Sequence, residues 1–149
     1  MIRIQTEPLS PGEWLDAFSH GRQATGAVVS FTGLTRGGDG IAQLVLDAYP
    51  GFTETVMEGI EAEARARFEA HDILAVHRWG PIAVGEPIVF VAVAAARRRA
   101  AFEACDFLMD QFKTRAPFWK KEEGPGGSRW VEPRDQDRAD LARWETPND

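Results

Sequence analysis

The stretch Gly26-Ala27-Val28-Val29-Ser30-Phe31-Thr32 and the segment 42–49 that follows it decide the fold class of this chain. Both are rich in β-branched and apolar residues and end at glycine- or proline-containing turns, which indicates two strands. A helix is expected next, capped by Thr53 or Thr55. Its apolar stripe consists of Val56, Ile60, Ala64 and Phe68. The order strand, strand, helix predicts a mixed α/β fold.

Further elements lie on both sides of this core. Upstream, Ser10-Pro11-Gly12-Glu13 has the form of a capping box and predicts a short helix that ends near His20. Downstream, residues 73–79 and 87–95 have the composition of strands, separated by a Gly-Pro break and a short apolar segment. These additions keep the prediction within the mixed α/β class.

The last third of the chain begins with an amphipathic helix over residues 97–113, which must stop before Pro117. Its apolar positions are Ala101, Cys105, Leu108, Met109 and Phe112. Beyond it, we expect a flexible connection at 124–127, a short strand at 129–132 and one or two helical turns within 137–144.

The overall composition limits what the chain can be. Its 149 residues, 44% of them hydrophobic, can bury one sizeable core, so residues 1–149 are expected to form a single domain. The opening segment contains Arg3, Gln5 and Glu7 and lacks a signal-peptide core, and no apolar run is long enough to span a bilayer. We therefore expect a cytoplasmic protein.

Charge and cysteine content exclude several partners and cofactors. The net charge of -6 disfavours nucleic acid and anionic membranes, so an anionic ligand needs a local cluster of cations. The single cysteine, Cys105, cannot form an internal disulfide or a cysteine-based metal site, and its place on an apolar stripe favours a core thiol over a nucleophile. His20, His71 and His77 show no metal-ligand spacing. No metal or cofactor is predicted.

One cluster of cations stands at the start of the long helix, where Arg97, Arg98 and Arg99 add positive charge to an end that is already positive. Such an arrangement favours a bound phosphate or carboxylate. Two alternatives are open: the arginines pair with surface glutamates, or the helix begins earlier.

The densest basic stretch is Lys113-Thr114-Arg115-Ala116-Pro117-Phe118-Trp119-Lys120-Lys121. Neighbouring cations and burial lower the pKa of a lysine, which makes it available as a base or a nucleophile. Lys113 has an alternative explanation, because a cation near a helix C-terminus complements the helix dipole. Lys120 has no such explanation and is the stronger candidate.

Four segments of the sequence resemble the family of molybdopterin synthase catalytic (large) subunits, and the match extends in unbroken order from Gly26 to Trp144. The long basic run carries most of the resemblance. The segments are Phe31-Thr32-Gly33-Leu34-Thr35-Arg36, Tyr49-Pro50-Gly51-Phe52-Thr53-Glu54, Ala101-Phe102-Glu103-Ala104 and Lys113-Thr114-Arg115-Ala116-Pro117-Phe118-Trp119-Lys120-Lys121-Glu122.

The resemblance implies an α/β hammerhead-type domain with a small antiparallel β appendage, and a homodimer within a heterotetramer. It implies as partner a small ubiquitin-like sulfur-carrier subunit whose C-terminal Gly-Gly tail is a thiocarboxylate. The implied reaction is sulfur transfer from that tail to cyclic pyranopterin monophosphate, a pterin, which forms the dithiolene of molybdopterin in molybdenum cofactor biosynthesis. No resident cofactor is implied, because the sulfur arrives with the partner.

The resemblance also assigns roles to individual residues. Lys113 and Lys120 match the two essential lysines of the family, available for acid/base work or a transient covalent link. Positions that match the substrate pocket are Arg36, Phe31, Arg98, Met109 and Arg134. Arg134 matches an arginine that reaches the site across the dimer.

One position departs from the family pattern. Arg97 stands where the family usually has histidine, and arginine can bind an anion but cannot act as a base near neutral pH. The departure leaves open a non-catalytic, anion-binding or regulatory homologue as an alternative function. A thiol-dependent sulfurtransferase that uses Cys105 is a further alternative.

Overall fold

Four helices and eight strands make up residues 1–145, the part of the chain that the computed structural model describes. The predicted mixed α/β class is confirmed. In chain order the elements are β1 (Ile2–Gln5), α1 (Pro11–Ser19), β2 (Ala27–Leu34), β3 (Gln43–Asp47), α2 (Phe52–Phe68), β4 (Asp72–Arg78), β5 (Gly80–Ala83), β6 (Pro87–Ala95), α3 (Arg98–Arg115), β7 (Trp119–Gly124), β8 (Gly127–Val131) and α4 (Asp135–Ala142).

The first sheet has the strand order β1-β4-β6-β2, in which β1 and β4 are parallel and the other pairs are antiparallel. Its inner strand β6 is buried on both faces, because α2 and α3 pack on one side of the sheet and α1 on the other. This burial explains why residues 87–95 are almost continuously apolar instead of alternating. The strand has the bounds that its composition predicts.

The second sheet has the order β5-β3-β7-β8 and is antiparallel throughout, which matches the predicted small appendage. Leu44, Leu46 and Ile82 are buried on its inner face. The connection predicted at 124–127 is the turn of the β7–β8 hairpin, where Gly124 pairs with Gly127 and a side chain at Gly124 would collide with the Gly40 carbonyl.

At α1, Ser10 is the N-cap residue and Pro11 the first helical residue, as predicted, but the Ser10 hydroxyl makes no capping hydrogen bond. The predicted cap of α2 is wrong. Helix α2 starts one residue after Gly51, whose φ of 89° is accessible to glycine at no steric cost, and Glu54 accepts the Gly51 N–H at 2.7 Å. Thr53 and Thr55 therefore lie inside the helix. No helix among residues 1–145 is both long and apolar enough to cross a membrane.

Candidate functional site

The two candidate lysines lie on consecutive elements, α3 and β7, which are joined by a three-residue connection. Lys113 is in the last turn of α3, and Ala116 ends that helix because Pro117 follows it. In β7, Lys120 stands opposite Leu46 of β3. Cross-strand partners point to the same face, so Lys120 lies on the inner face with buried Leu46 and is itself half-buried.

The surroundings of Lys120 lower its pKa from the ordinary value of a lysine. Burial is the largest cause, because it disfavours the charged ammonium. The positive charges of Lys113, Arg134 and Arg36 act in the same direction, while Glu122 opposes them. Four of the predicted site residues, from four different parts of the chain, are thus close enough to interact electrostatically.

Two acidic residues complete this cluster, and sequence analysis missed both. Glu122 shares the inner face of β7 with Lys120, two residues away, and forms an ion pair with Arg129 at 3.1 Å. Asp137 of α4 lies with its carboxylate 3.8 Å from the Lys113 ammonium. A period-two reading of residues 119–123 would have paired Glu122 with Lys120; the Asp137 contact depends on tertiary packing and has no local signal.

Helix α4 brings Arg134 and Asp137 to the lysines. Arg134 is its N-cap residue, and the backbone N–H of Arg134 donates to the Asp137 carboxylate at 3.0 Å. Arg134 therefore reaches the Lys120 cluster within one chain. The role across a dimer that the resemblance assigns to Arg134 stays a prediction.

The arginines at the start of α3 lie far from the lysines of the same chain. Arg97 is the N-cap and Arg98 the first helical residue, so the helix begins where it was predicted. Lys113 follows Arg98 by fifteen positions, which corresponds to about 22 Å along the helix axis. Within residues 1–145, Arg97 and Arg98 are exposed and take part in no ion pair. The surface-glutamate alternative is therefore not supported.

Met109 lies between these two ends of α3, and Phe31 lies on a strand of the first sheet. Phe31 lies on the edge strand β2, opposite Val91, and is 41% exposed. Met109 packs against the core and precedes Lys113 by four residues, so the two share one face of α3. Their role in substrate binding stays a prediction.

The cysteine and histidines have structural surroundings. Burial, and then the charge of Asp106, raise the pKa of the Cys105 thiol to about 12, so it is protonated at neutral pH. His77 stacks on Phe118 and His71 contacts the Thr25 hydroxyl at 3.1 Å. No group of three or more potential metal ligands is brought together among residues 1–145.

Comparison with known proteins gives one consistent family. The model of the MoaE protein family matches residues 4–115. The molybdopterin synthase catalytic subunit of Caulobacter vibrioides is 53% identical over 146 residues, which cover 97% of both chains.

Solved structures agree with this result. The molybdopterin biosynthesis MoaE protein of Burkholderia ambifaria superposes with a TM-score of 0.84 at 43% identity, over 99% of both chains. A chain of the Helicobacter pylori protein-protein complex of subunits 1 and 2 of molybdopterin-converting factor superposes with a TM-score of 0.78, over 89% of this chain and 91% of that one; at 23% identity this likeness concerns the fold alone. By the family model and the close relatives together, the chain belongs to the MoaE family.

Proposed function

We propose that this chain is the sulfur-transferring subunit of a molybdopterin synthase, acting as one domain. In this reaction the thiocarboxylate at the C-terminus of a small ubiquitin-like partner supplies sulfur to cyclic pyranopterin monophosphate, and two rounds form the dithiolene. The observation that carries the proposal is the clustering of Lys113, Lys120, Arg36 and Arg134 in a chain of net charge -6. The names of the relatives support the same reaction.

The chemistry of the cluster suits anionic reactants. A thiocarboxylate tail and a cyclic phosphate both carry negative charge, and a local group of cations attracts them in spite of the overall charge. The lowered pKa of Lys120 increases the fraction of its amine that is neutral, and only that form acts as a base or a nucleophile. We infer that Lys120 has the chemical role and that Lys113, Arg36 and Arg134 hold the anions.

The proposal includes two kinds of partner. A small sulfur-carrier partner follows from the proposed reaction, because the buried and protonated thiol of Cys105 is not suited to deliver the sulfur itself. We also propose a homodimer of the chain within a heterotetramer. In such a dimer, the exposed Arg97 and Arg98 of one copy would bind anions at the site of the second copy, since the lysines of their own chain are about 22 Å away along α3. A reducing compartment such as the cytoplasm suits a chain with one buried thiol.

The test is product formation from cyclic pyranopterin monophosphate and a thiocarboxylated small subunit, detected by mass spectrometry. We expect the native chain to form the dithiolene product and Lys120→Ala to lose at least about 100-fold in rate, the scale of a lost acid/base group. Lys121→Ala is the matched control. Lys121 is the next residue of β7 but lies on the outer face, paired with Glu123 at 3.1 Å and stacked over Trp130.

Other outcomes would favour the rival functions. Loss of activity in Cys105→Ala but not in Lys120→Ala would identify a thiol-dependent enzyme, which the protonated state of Cys105 argues against. A native chain that binds the small subunit and yields no product would be a non-catalytic homologue, and Arg97→His would then be the first substitution to examine.

A further inference from the structure

The connection between Lys113 of α3 and Lys120 of β7 is held in place by a residue of helix α2. Thr53, in the first turn of α2, is 0% exposed, and its hydroxyl makes two hydrogen bonds. It accepts the backbone N–H of Tyr49 at 2.9 Å and donates to the backbone carbonyl of Pro117 at 3.3 Å. The hydroxyl therefore links the exit of β3 to the entry of β7.

Both partners of the hydroxyl depend on it. Proline has no backbone N–H, so the carbonyl is the only backbone group through which Pro117 can be held by a hydrogen bond. Tyr49 and Thr53 are joined twice, because the Thr53 N–H also donates to the Tyr49 carbonyl at 2.8 Å. Removal of the hydroxyl would leave a backbone donor and an acceptor without this partner in a partly buried place, which is unfavourable.

The link lies at the end of the ladder that carries Lys120. The last pair of the β3–β7 ladder is Asp47 with Trp119; Tyr49 lies two residues beyond it on one strand and Pro117 two residues before it on the other. The Thr53 hydroxyl thus continues the connection between the two strands past their last hydrogen-bonded pair. It holds the chain three residues before Lys120 and four residues after Lys113.

We propose that Thr53 is a positioning residue, whose hydroxyl fixes the Pro117 carbonyl and thereby the position of Lys120 relative to Lys113. Its relevance to catalysis rests on the function proposed above, but its effect on Lys120 does not. Thr53→Val keeps the shape of the side chain and removes the hydroxyl, whereas Thr53→Ser keeps the hydroxyl. Thr55→Val is the matched control, because the Thr55 hydroxyl in the same helical turn donates only to the Gly51 carbonyl.

The first readout needs no turnover. Acylation of lysine amines by isotope-labelled acetic anhydride is followed by mass spectrometry across pH, with Lys121 as the internal reference. We expect Thr53→Val to change the pH dependence of Lys120 acylation while Thr53→Ser and Thr55→Val retain the native curve. The second readout is kinetic: kcat of Thr53→Val should fall about 10- to 100-fold with little change in KM, the effect of a misplaced group, and Thr53→Ser should restore it.

An unchanged Lys120 curve in folded Thr53→Val would overturn the proposal, as would an equal change in Thr55→Val. If Thr53→Val does not fold, Thr53→Ala removes the same hydroxyl with less steric demand and replaces it in both assays. The two proposals fail separately. If the native chain forms no product and the Lys120 curve of Thr53→Val is changed, the sulfur-transfer function is contradicted and the positioning role is supported. If the native chain forms product and the Thr53→Val curve is unchanged, the reverse holds.

Discussion

The ring of His77 lies on the ring of Phe118, with their centroids 4.0 Å apart and their planes 21° from parallel. His77 belongs to β4 of the first sheet, and Phe118 lies two residues before Lys120, so the stack ties the connection between α3 and β7 to the main sheet. Burial of the imidazole lowers the pKa of His77 to about 4, even though its contact with the Arg78 carbonyl acts in the opposite direction.

This lowered pKa predicts a pH-dependent stability. Because an unfolded histidine has a pKa of 6.5 and folded His77 a pKa of about 4, the folded chain binds fewer protons between these values. The stabilisation is complete above pH 6.5 and is lost as the pH falls toward 4. We expect this group to lower the free energy of unfolding by roughly 2–3 kcal/mol between pH 7.5 and 4.5, measured by urea denaturation.

His77→Phe should reduce that acid-side loss, because phenylalanine keeps a ring against Phe118 and cannot take up a proton. His20→Gln is the control, because it removes a histidine that is exposed at the end of α1 and lies outside this stack. Identical pH dependence in the native chain and His77→Phe would show that His77 does not titrate in this way.

The cations around Lys120 predict a second effect. Arg134 is one of the charges that lower the pKa of Lys120, so Arg134→Gln should raise that pKa and move the alkaline rise of Lys120 reactivity to higher pH. Titration of the lysine ε-carbon signals by NMR would measure the change directly. Arg138→Gln removes an equal charge from the exposed side of α4, where Arg138 lies 3.6 Å from Asp135, and should leave Lys120 unaffected. A shift of the same size in both variants would mean that only overall charge matters.

Sequence reasoning succeeded for elements whose pattern has a single reading. Strand β6 and helix α3 were predicted nearly to the residue, because an unbroken apolar run and a regular helical stripe each have one favourable arrangement. Strand β7 was missed: Lys120 and Glu122 face inward while Lys121 and Glu123 face outward, so both faces carry charges and period-two hydrophobicity is absent.

The composition of the site was predicted better than its geometry. The basic run pointed to Lys113 and Lys120 without any knowledge of the fold. The proximity of these lysines to Arg36 and Arg134 depends on the packing of loops and of the terminal helix α4, which are distant in sequence. No local sequence pattern encodes such packing. The distance between Arg98 and Lys113 follows from helix geometry once the bounds of α3 are known. The contact of Lys113 with Asp137 does not, because it depends on how α4 packs.

That terminal helix has no buried residue of its own, and Trp144 anchors it. The indole packs edge-to-face on Phe68 and Phe107, with centroids 5.7 and 5.5 Å away, and its N–H donates to Asp110 at 2.7 Å. Aromatic contacts of this kind add to the hydrophobic contribution of the ring. Trp144→Ala should therefore lower the free energy of unfolding by about 2 kcal/mol, less than a fully buried tryptophan would.

The loss of stability should be concentrated in α4. In Trp144→Ala this helix is still attached by the ion pair of Arg143 with Asp110 at 2.6 Å, but an exposed ion pair is a weaker attachment than the indole. Hydrogen exchange of the α4 amides should accelerate at least about tenfold, which corresponds to a loss of some 1.4 kcal/mol of local stability. Trp130→Ala is the control: Trp130 is 58% exposed, so its removal should change stability by less than about 0.5 kcal/mol. Unchanged exchange in α4 of Trp144→Ala would mean that the ion pairs, and not the indole, hold Arg134 and Asp137 beside the lysines.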